Sequence, residues 1–179
     1  LLRTEVTEVL RGCEFILHGG DINSQKILDR LQETAPTYAV RGNNDGEWAG
    51  FLPETISVEL CKVRFFMVHN KKMLPGNLDA GINVIIYGHS HKYEEKYVDG
   101  KLFLNPGSCG PRRFTQPVTL AVLNVEDDGS YSVERIDIAL SAPRDLGNQY
   151  AGGDGNFAHN AEPEDMRKAV LQVMRDTDR

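Results

Sequence analysis

The sequence predicts an α/β fold in which two β-sheets are sandwiched with helices outside. Three observations predict it. Over the first 45 residues, short apolar strands alternate with helix-patterned segments, and each strand finishes in glycine and a polar residue. Such alternation implies parallel strands with crossover helices, whose sites collect at the strands' carboxyl edge. Beyond residue 55 the pattern turns to hairpins, so the second half is mostly β. Between these parts lies Tyr87-Gly88-His89-Ser90-His91, two histidines one residue apart, directly after the apolar run Ile82 to Tyr87.

Each element has its own signal. Leu1, Val6, Val9 and Leu10 recur at helical spacing and Gly12 stops the helix. Glu14 to Leu17 reads as a short buried strand ending in His18-Gly19-Gly20-Asp21. A helix runs from about Ser24, with Ile27, Leu28 and Leu31 inward, and ends before Pro36. Thr37 to Val40 is a strand ending in Arg41-Gly42-Asn43-Asn44-Asp45-Gly46. Thr55 to Leu60 alternates, and Val63 to Val68 is an apolar run ending in His69-Asn70. A connection with helical character around Leu78 and Asp79 leads to the Ile82 strand.

Tyr93 to Val98 and Lys101 to Leu104 flank Asp99-Gly100, a strong hairpin signal. Asn105-Pro106-Gly107-Ser108 is a turn. Val118 to Val125 and Tyr131 to Ile138 form another hairpin around Asp127-Asp128-Gly129. Residues 1–140 therefore form one domain. Residues 141–162, rich in Gly, Asn, Asp, Ala and Pro, read as a flexible linker. Residues 163–179 read as an amphipathic helix opened by Pro163, with Met166, Ala169, Val170, Val173 and Met174 in one stripe. That stripe packs on its own domain or serves for docking or self-association.

The net charge of −6 disfavours non-specific binding to nucleic acid or to an anionic membrane. No run is long and apolar enough for a membrane-spanning helix, and no signal peptide is visible. Cys13, Cys61 and Cys109 are odd in number and show no metal-type spacing, which favours free thiols and a cytoplasmic setting.

Asp21, Asn43, His69, His89 and His91 all fall at strand ends. A hard-to-borderline divalent ion accepts such a mixed oxygen and nitrogen set. An acidic residue that reaches two ions can bridge them, and two ions about 3.5–4 Å apart clamp a phosphoryl group. Each residue also has a structural reading. Asp21 could cap the following helix, Asn43 could hold a left-handed turn, and His69 could be a satisfied core histidine. His18 reads as structural, hydrogen-bonded beneath the site, and Asp45 as orienting its own loop. Arg112 and Arg113 read as a solvated pair or as a fork for a substrate phosphate.

The ordered motifs Gly20-Asp21, Gly42-Asn43-Asn44-Asp45, His69 and Gly88-His89-Ser90-His91 resemble the calcineurin-like metallophosphoesterase superfamily. Arg41 to Asp45 and Leu104 to Ser108 resemble its small YfcE-like phosphodiesterase branch. The resemblance implies a four-layered αββα sandwich and hydrolysis of phosphoric esters by metal-activated water at a dinuclear centre. Asp21 would bridge the ions, Asn43, His69 and His89 would complete one metal's shell, and His91 would serve the other. Manganese is the first choice; zinc, nickel or iron could serve.

Two departures stand out. The family opens with a strand ending in Asp-x-His, which supplies two ligands to the His91 ion. This sequence begins where that motif would have just ended, and the expectation is that a native chain carries it. Without it, the His91 site keeps only His91 and Asp21 and should bind metal poorly. Many members also carry a general-acid histidine where Asn44 stands, and an amide cannot deliver a proton at neutral pH. With Asn44 and Asp45 as candidate catalytic residues, the expected substrates are small phosphodiesters or esters with acidic leaving groups. A second reading is a catalytically weak or inactive scaffold of the same fold. A third is a hydrolase using only the Asn43, His69 and His89 ion. Exposed hairpin edges would suit a homodimer.

Overall fold

A computed structural model describes residues 2–110, 115–138 and 167–172. Helix α1, Thr4–Leu10, buries Val6 and Leu10, and α2, Gln25–Thr34, buries Ile27, Leu28 and Leu31. In both, apolar residues three and four apart make one face. Strand β1, Phe15–His18, runs parallel to β2, Thr37–Ala39, with Ile16 opposite Thr37, so α2 is the expected crossover.

The remaining strands are β3 (Thr55–Leu60), β4 (Val63–Val68), β5 (Val84–Ile86), β6 (Tyr93–Val98), β7 (Lys101–Pro106), β8 (Thr119–Val125), β9 (Tyr131–Asp137) and β10 (Arg167–Gln172). They form two five-stranded mixed sheets, ordered β2-β1-β10-β8-β9 and β3-β4-β5-β7-β6. Leu17, Ala121 and Leu123 of the first sheet pack against Phe65, Met67, Val84, Ile86 and Leu104 of the second. The first sheet's other face, with Ile16, Leu120 and Val122, is covered by the apolar stripes of α1 and α2.

The second sheet's outer face differs from the expected helical cover. Val68, Ile85 and Tyr87 are packed by Leu74 and Leu78. Among the described residues this cover is a single 3-10 turn, Lys71–Met73, and an irregular segment, not a helix around Leu78 and Asp79. Pro75-Gly76 interrupts helix propagation there. Lys101 Nζ instead donates to the carbonyls of Asp79, Ala80 and Ile82 at 3.3, 2.7 and 2.8 Å, which supplies the segment with partners that a helix would have provided internally.

A second correction concerns the C-terminal region. Residues 167–172 form strand β10, where the sequence reading places a helix over 163–179. The strand is parallel to β1, with Phe15 opposite Ala169, and antiparallel to β8, with Leu123 opposite Ala169. Over six residues, an apolar run such as Ala169-Val170-Leu171 fits either period. Pairing decides the outcome: β10 satisfies backbone groups of β1 and β8 in the middle of a sheet. The linker 141–162, Arg112, Arg113 and the rest of 163–179 lie outside the described residues.

Strand β7 runs two residues beyond the expected end, through Pro106, which lies opposite Tyr93. Strands β4 and β5 are parallel, Met67 opposite Ile86, so their carboxyl ends leave the second sheet side by side. The exits of β1 and β2 leave the first sheet in the same way.

Candidate metal centre

The site is built where these four exits meet. After β1 the chain turns through Gly20 at φ 93° and Asp21 at φ 61°, and Asn23 lies at φ 69°. Positive φ is costly for a residue with a Cβ, so Asp21 is held there by its surroundings. A Cβ on Gly20 would lie 2.7 Å from His69 Nδ1 and 2.8 Å from Gly42 N. A Cβ on Gly42 would collide with the backbone nitrogen and Oδ1 of Asp21. The two glycines are what allow the loops after β1 and β2 to touch.

Asp45 ties these loops together. Its Oδ2 accepts from Asp21 N at 2.9 Å and Gly42 N at 2.8 Å, and its Oδ1 accepts from Asn23 N at 2.7 Å. Asn44 holds the Asp21 carboxylate. Its backbone N–H donates to Oδ1 at 2.8 Å and its Nδ2 donates to Oδ2 at 2.6 Å. Neither candidate catalytic side chain is therefore spent on its own loop alone, since both position Asp21. The amide of Asn44 is directed at the carboxylate.

His69 follows β4. Its Nδ1 lies 2.7 Å from the carbonyl oxygen of Gly19, an acceptor, so that nitrogen carries the proton. In the neutral ring Nε2 is then a lone pair, and it faces two more oxygen acceptors: Asn43 Oδ1 at 2.9 Å and Asp21 Oδ1 at 3.5 Å. His89 Nδ1 reaches the same Asn43 Oδ1 at 2.9 Å, and the His69 and His89 rings meet edge-on with centroids 5.3 Å apart. Electron-rich atoms pointed at each other repel unless a cation, a proton or a metal ion, sits among them. A histidine whose far nitrogen donates to a backbone carbonyl is also the usual arrangement around a bound metal. Among the described residues no three His, Cys, Asp or Glu side chains form a metal-holding group alone, and here the amide Asn43 closes the cluster.

The histidine loop is held from below. Gly88 N donates to His69 O at 2.9 Å. Asn105 Nδ2 donates to Gly88 O at 2.8 Å and to Ser90 Oγ at 3.0 Å, while Asn105 Oδ1 accepts from Gly107 N at 3.0 Å. Asn105 supports the site, as expected, but from the end of strand β7 and not from a turn. His89 and His91 both have positive φ, 65° and 57°. His91 is buried in this loop.

His18 is fully buried beneath Asp21 and accepts from Gly20 N through Nδ1 at 3.1 Å. Burial lowers its pKa from 6.5 to about 3; nearby Asp21 opposes that shift and His69 adds to it. It is a neutral structural histidine, as read from the sequence. What the sequence did not reveal is a pocket of about 290 Å³ lined by Asn43, His69 and His89, and also by Arg41, Glu54, Val68, Asn70 and Met73. Glu54 and Met73 come from segments with no motif, so no sequence signal marks them.

A profile of the calcineurin-like phosphoesterase superfamily domain matches residues 1–128. The chain belongs to that superfamily. Within it, the chain is 30% identical over 131 residues to a probable metallophosphoesterase of Methanothermobacter thermautotrophicus, covering 69% of this chain and 76% of the relative. It is 32% identical over 112 residues to a phosphodiesterase of Methanocaldococcus jannaschii, covering 54% and 68%. The fold is shared with the solved structure of Vps29 complexed with zinc from Entamoeba histolytica, at 26% identity and a TM-score of 0.59, covering 76% of this chain and 90% of that one. The superfamily fold matches the two packed sheets described above.

Proposed function

We propose that the chain is a divalent-metal-dependent phosphodiesterase. Asp21, Asn43, His69 and His89 would hold one ion, and His91 with Asp21 would contribute to a second, giving the dinuclear arrangement. Manganese is the preferred ion. The observation that carries this reading is the meeting of His69 Nε2 with Asn43 Oδ1 and Asp21 Oδ1, three atoms that a cation would bring together. A bound divalent ion supplies positive charge to non-bridging phosphate oxygens and acidifies water.

The chain's own residues fix which atoms face the substrate. Gly19 O orients the His69 ring, Asn44 and Asp45 fix Asp21, and Asn105 fixes the His89 loop. The Asn44 amide is already donated to Asp21, so it offers no proton to a leaving group. That favours diesters and esters with acidic leaving groups over unactivated monoesters. The naming of a relative as a phosphodiesterase supports the same class. The test compares turnover of bis-p-nitrophenyl phosphate and p-nitrophenyl phosphate with and without manganese. Metal-dependent preference for the diester is expected; a strong monoester preference would refute the reading. Among the described residues, no helix is long and apolar enough to cross a membrane.

A further inference from the structure

We propose that Arg41, Glu54 and Met73 form the subsite that selects the substrate's ester group, favouring a singly charged phosphodiester that carries an aromatic or nucleobase-like ring. The inference rests on the phosphodiesterase reading and names the substrate class within it.

The pocket lined by Asn43, His69 and His89 is also lined by Arg41, Glu54 and Met73. A phosphodiester whose phosphorus lies at the cluster can direct one ester substituent along this wall. Arg41 N donates to Pro53 O at 2.8 Å, so Arg41 and Glu54 leave neighbouring stretches of backbone. Both are exposed. No hydrogen bond or ion pair engages the Arg41 guanidinium or the Glu54 carboxylate among the described residues, although the two line one cavity.

The chemistry of the three side chains is complementary. A guanidinium is always charged and its fork matches two phosphate oxygens. A carboxylate beside it repels a dianion more than a monoanion, and it can accept from a hydroxyl on the substrate. Met73 ends the 3-10 turn after β4 and is 58% exposed. Its flexible, polarisable thioether adapts to aromatic faces. Covering it with a ring removes apolar surface from water. A phosphate monoester would meet Glu54 with two negative charges instead of one.

The experiment measures binding by isothermal titration calorimetry with manganese present. The probes are phenyl methylphosphonate, methyl methylphosphonate and the dianion phenylphosphonate, and the proteins are the parent, Arg41→Gln, Glu54→Gln and Met73→Ala. The parent is expected to bind the phenyl ester roughly tenfold tighter than the methyl ester. Met73→Ala reduces that preference to about twofold or less. Arg41→Gln weakens both esters by roughly tenfold. Glu54→Gln strengthens the dianion relative to the phenyl ester. Manganese affinity stays at the parent value in all three variants.

A parent that binds neither ester or shows no phenyl preference overturns the subsite. So does a Met73→Ala protein that keeps the preference, or an Arg41→Gln protein that binds as the parent does. A Glu54→Gln protein with the parent's dianion-to-ester ratio also counts against it. Expected probe binding without manganese-dependent diester turnover would instead strike at the enzymatic reading, so the two failures are distinguishable.

Discussion

Three backbone N–H groups from two loops converge on the carboxylate of Asp45, and all three lose their acceptor if it is removed. Hydrogen bonds to an ionised acceptor contribute more than neutral ones, and orphaned buried donors add a desolvation cost. Asp45→Ala should therefore destabilise the fold by on the order of 3 kcal/mol, read by urea denaturation. Asp45→Asn, which keeps one acceptor oxygen, should fall between parent and Ala. The role of Asp45 as an organiser of its own loop was legible from its place after Gly42-Asn43-Asn44. Its reach across to Asp21 and Asn23 was not, because that bond spans two strand exits brought together only by folding.

His18 sets a pH dependence whose sign follows from its environment. Burial first, with a smaller contribution from His69 and an opposing one from Asp21, lowers its pKa from 6.5 to about 3 in the folded chain. The unfolded chain thus binds a proton near pH 6.5 while the folded chain refuses it until about pH 3. The stability contributed by neutral, buried His18 is fully present above pH 6.5 and falls as the pH drops through that window. The slope approaches roughly 1.4 kcal/mol per pH unit. In metal-free protein, His18→Asn, whose Oδ1 can accept from Gly20 N, should flatten the denaturation free energy over this range. An unchanged slope would remove His18 as its source.

At the scale of single elements, the β3–β4 hairpin shows what the sequence concealed. Its two-residue turn is Cys61-Lys62, at φ 51° and 64°. Two positive φ values mark a type I′ turn, whose preferred pair is Asn-Gly. Neither Cys nor Lys announces it, whereas Asp99-Gly100, between β6 and β7, was evident at sight. Replacing Cys61-Lys62 with Asn-Gly should raise stability by about 1 kcal/mol, read as a higher melting temperature. The exposed bond from Lys62 Nζ to Asp127 O is lost in exchange and contributes little. Strand β10 makes the complementary point. Its local pattern reads equally as helix, and only its neighbours β1 and β8, far away in sequence, make it a strand.

Across the whole molecule, the layered plan and the converging strand ends were legible because hydrophobic period and glycine placement are local signals. Leu17 and Phe65 belong to different sheets yet share one core, so packing the sheets also sets the exits of β1 and β2 against those of β4 and β5. This is why Asp21, Asn43, His69 and His89, separated by up to 68 positions between the first and the last (89 − 21), reach one point. The pocket beside them was not legible, since Arg41, Glu54 and Met73 carry no shared pattern and meet only after the sheets pack.

The central claim is that these four side chains hold a divalent cation. The most direct measurement is calorimetric titration of the metal-free chain with manganese, alongside His69→Ala and His89→Ala variants whose folding is checked by circular dichroism. Saturable binding by the parent and a loss of at least about tenfold in affinity in each folded variant is the predicted result. Equal manganese affinity in all three proteins, or none in the parent, would contradict it.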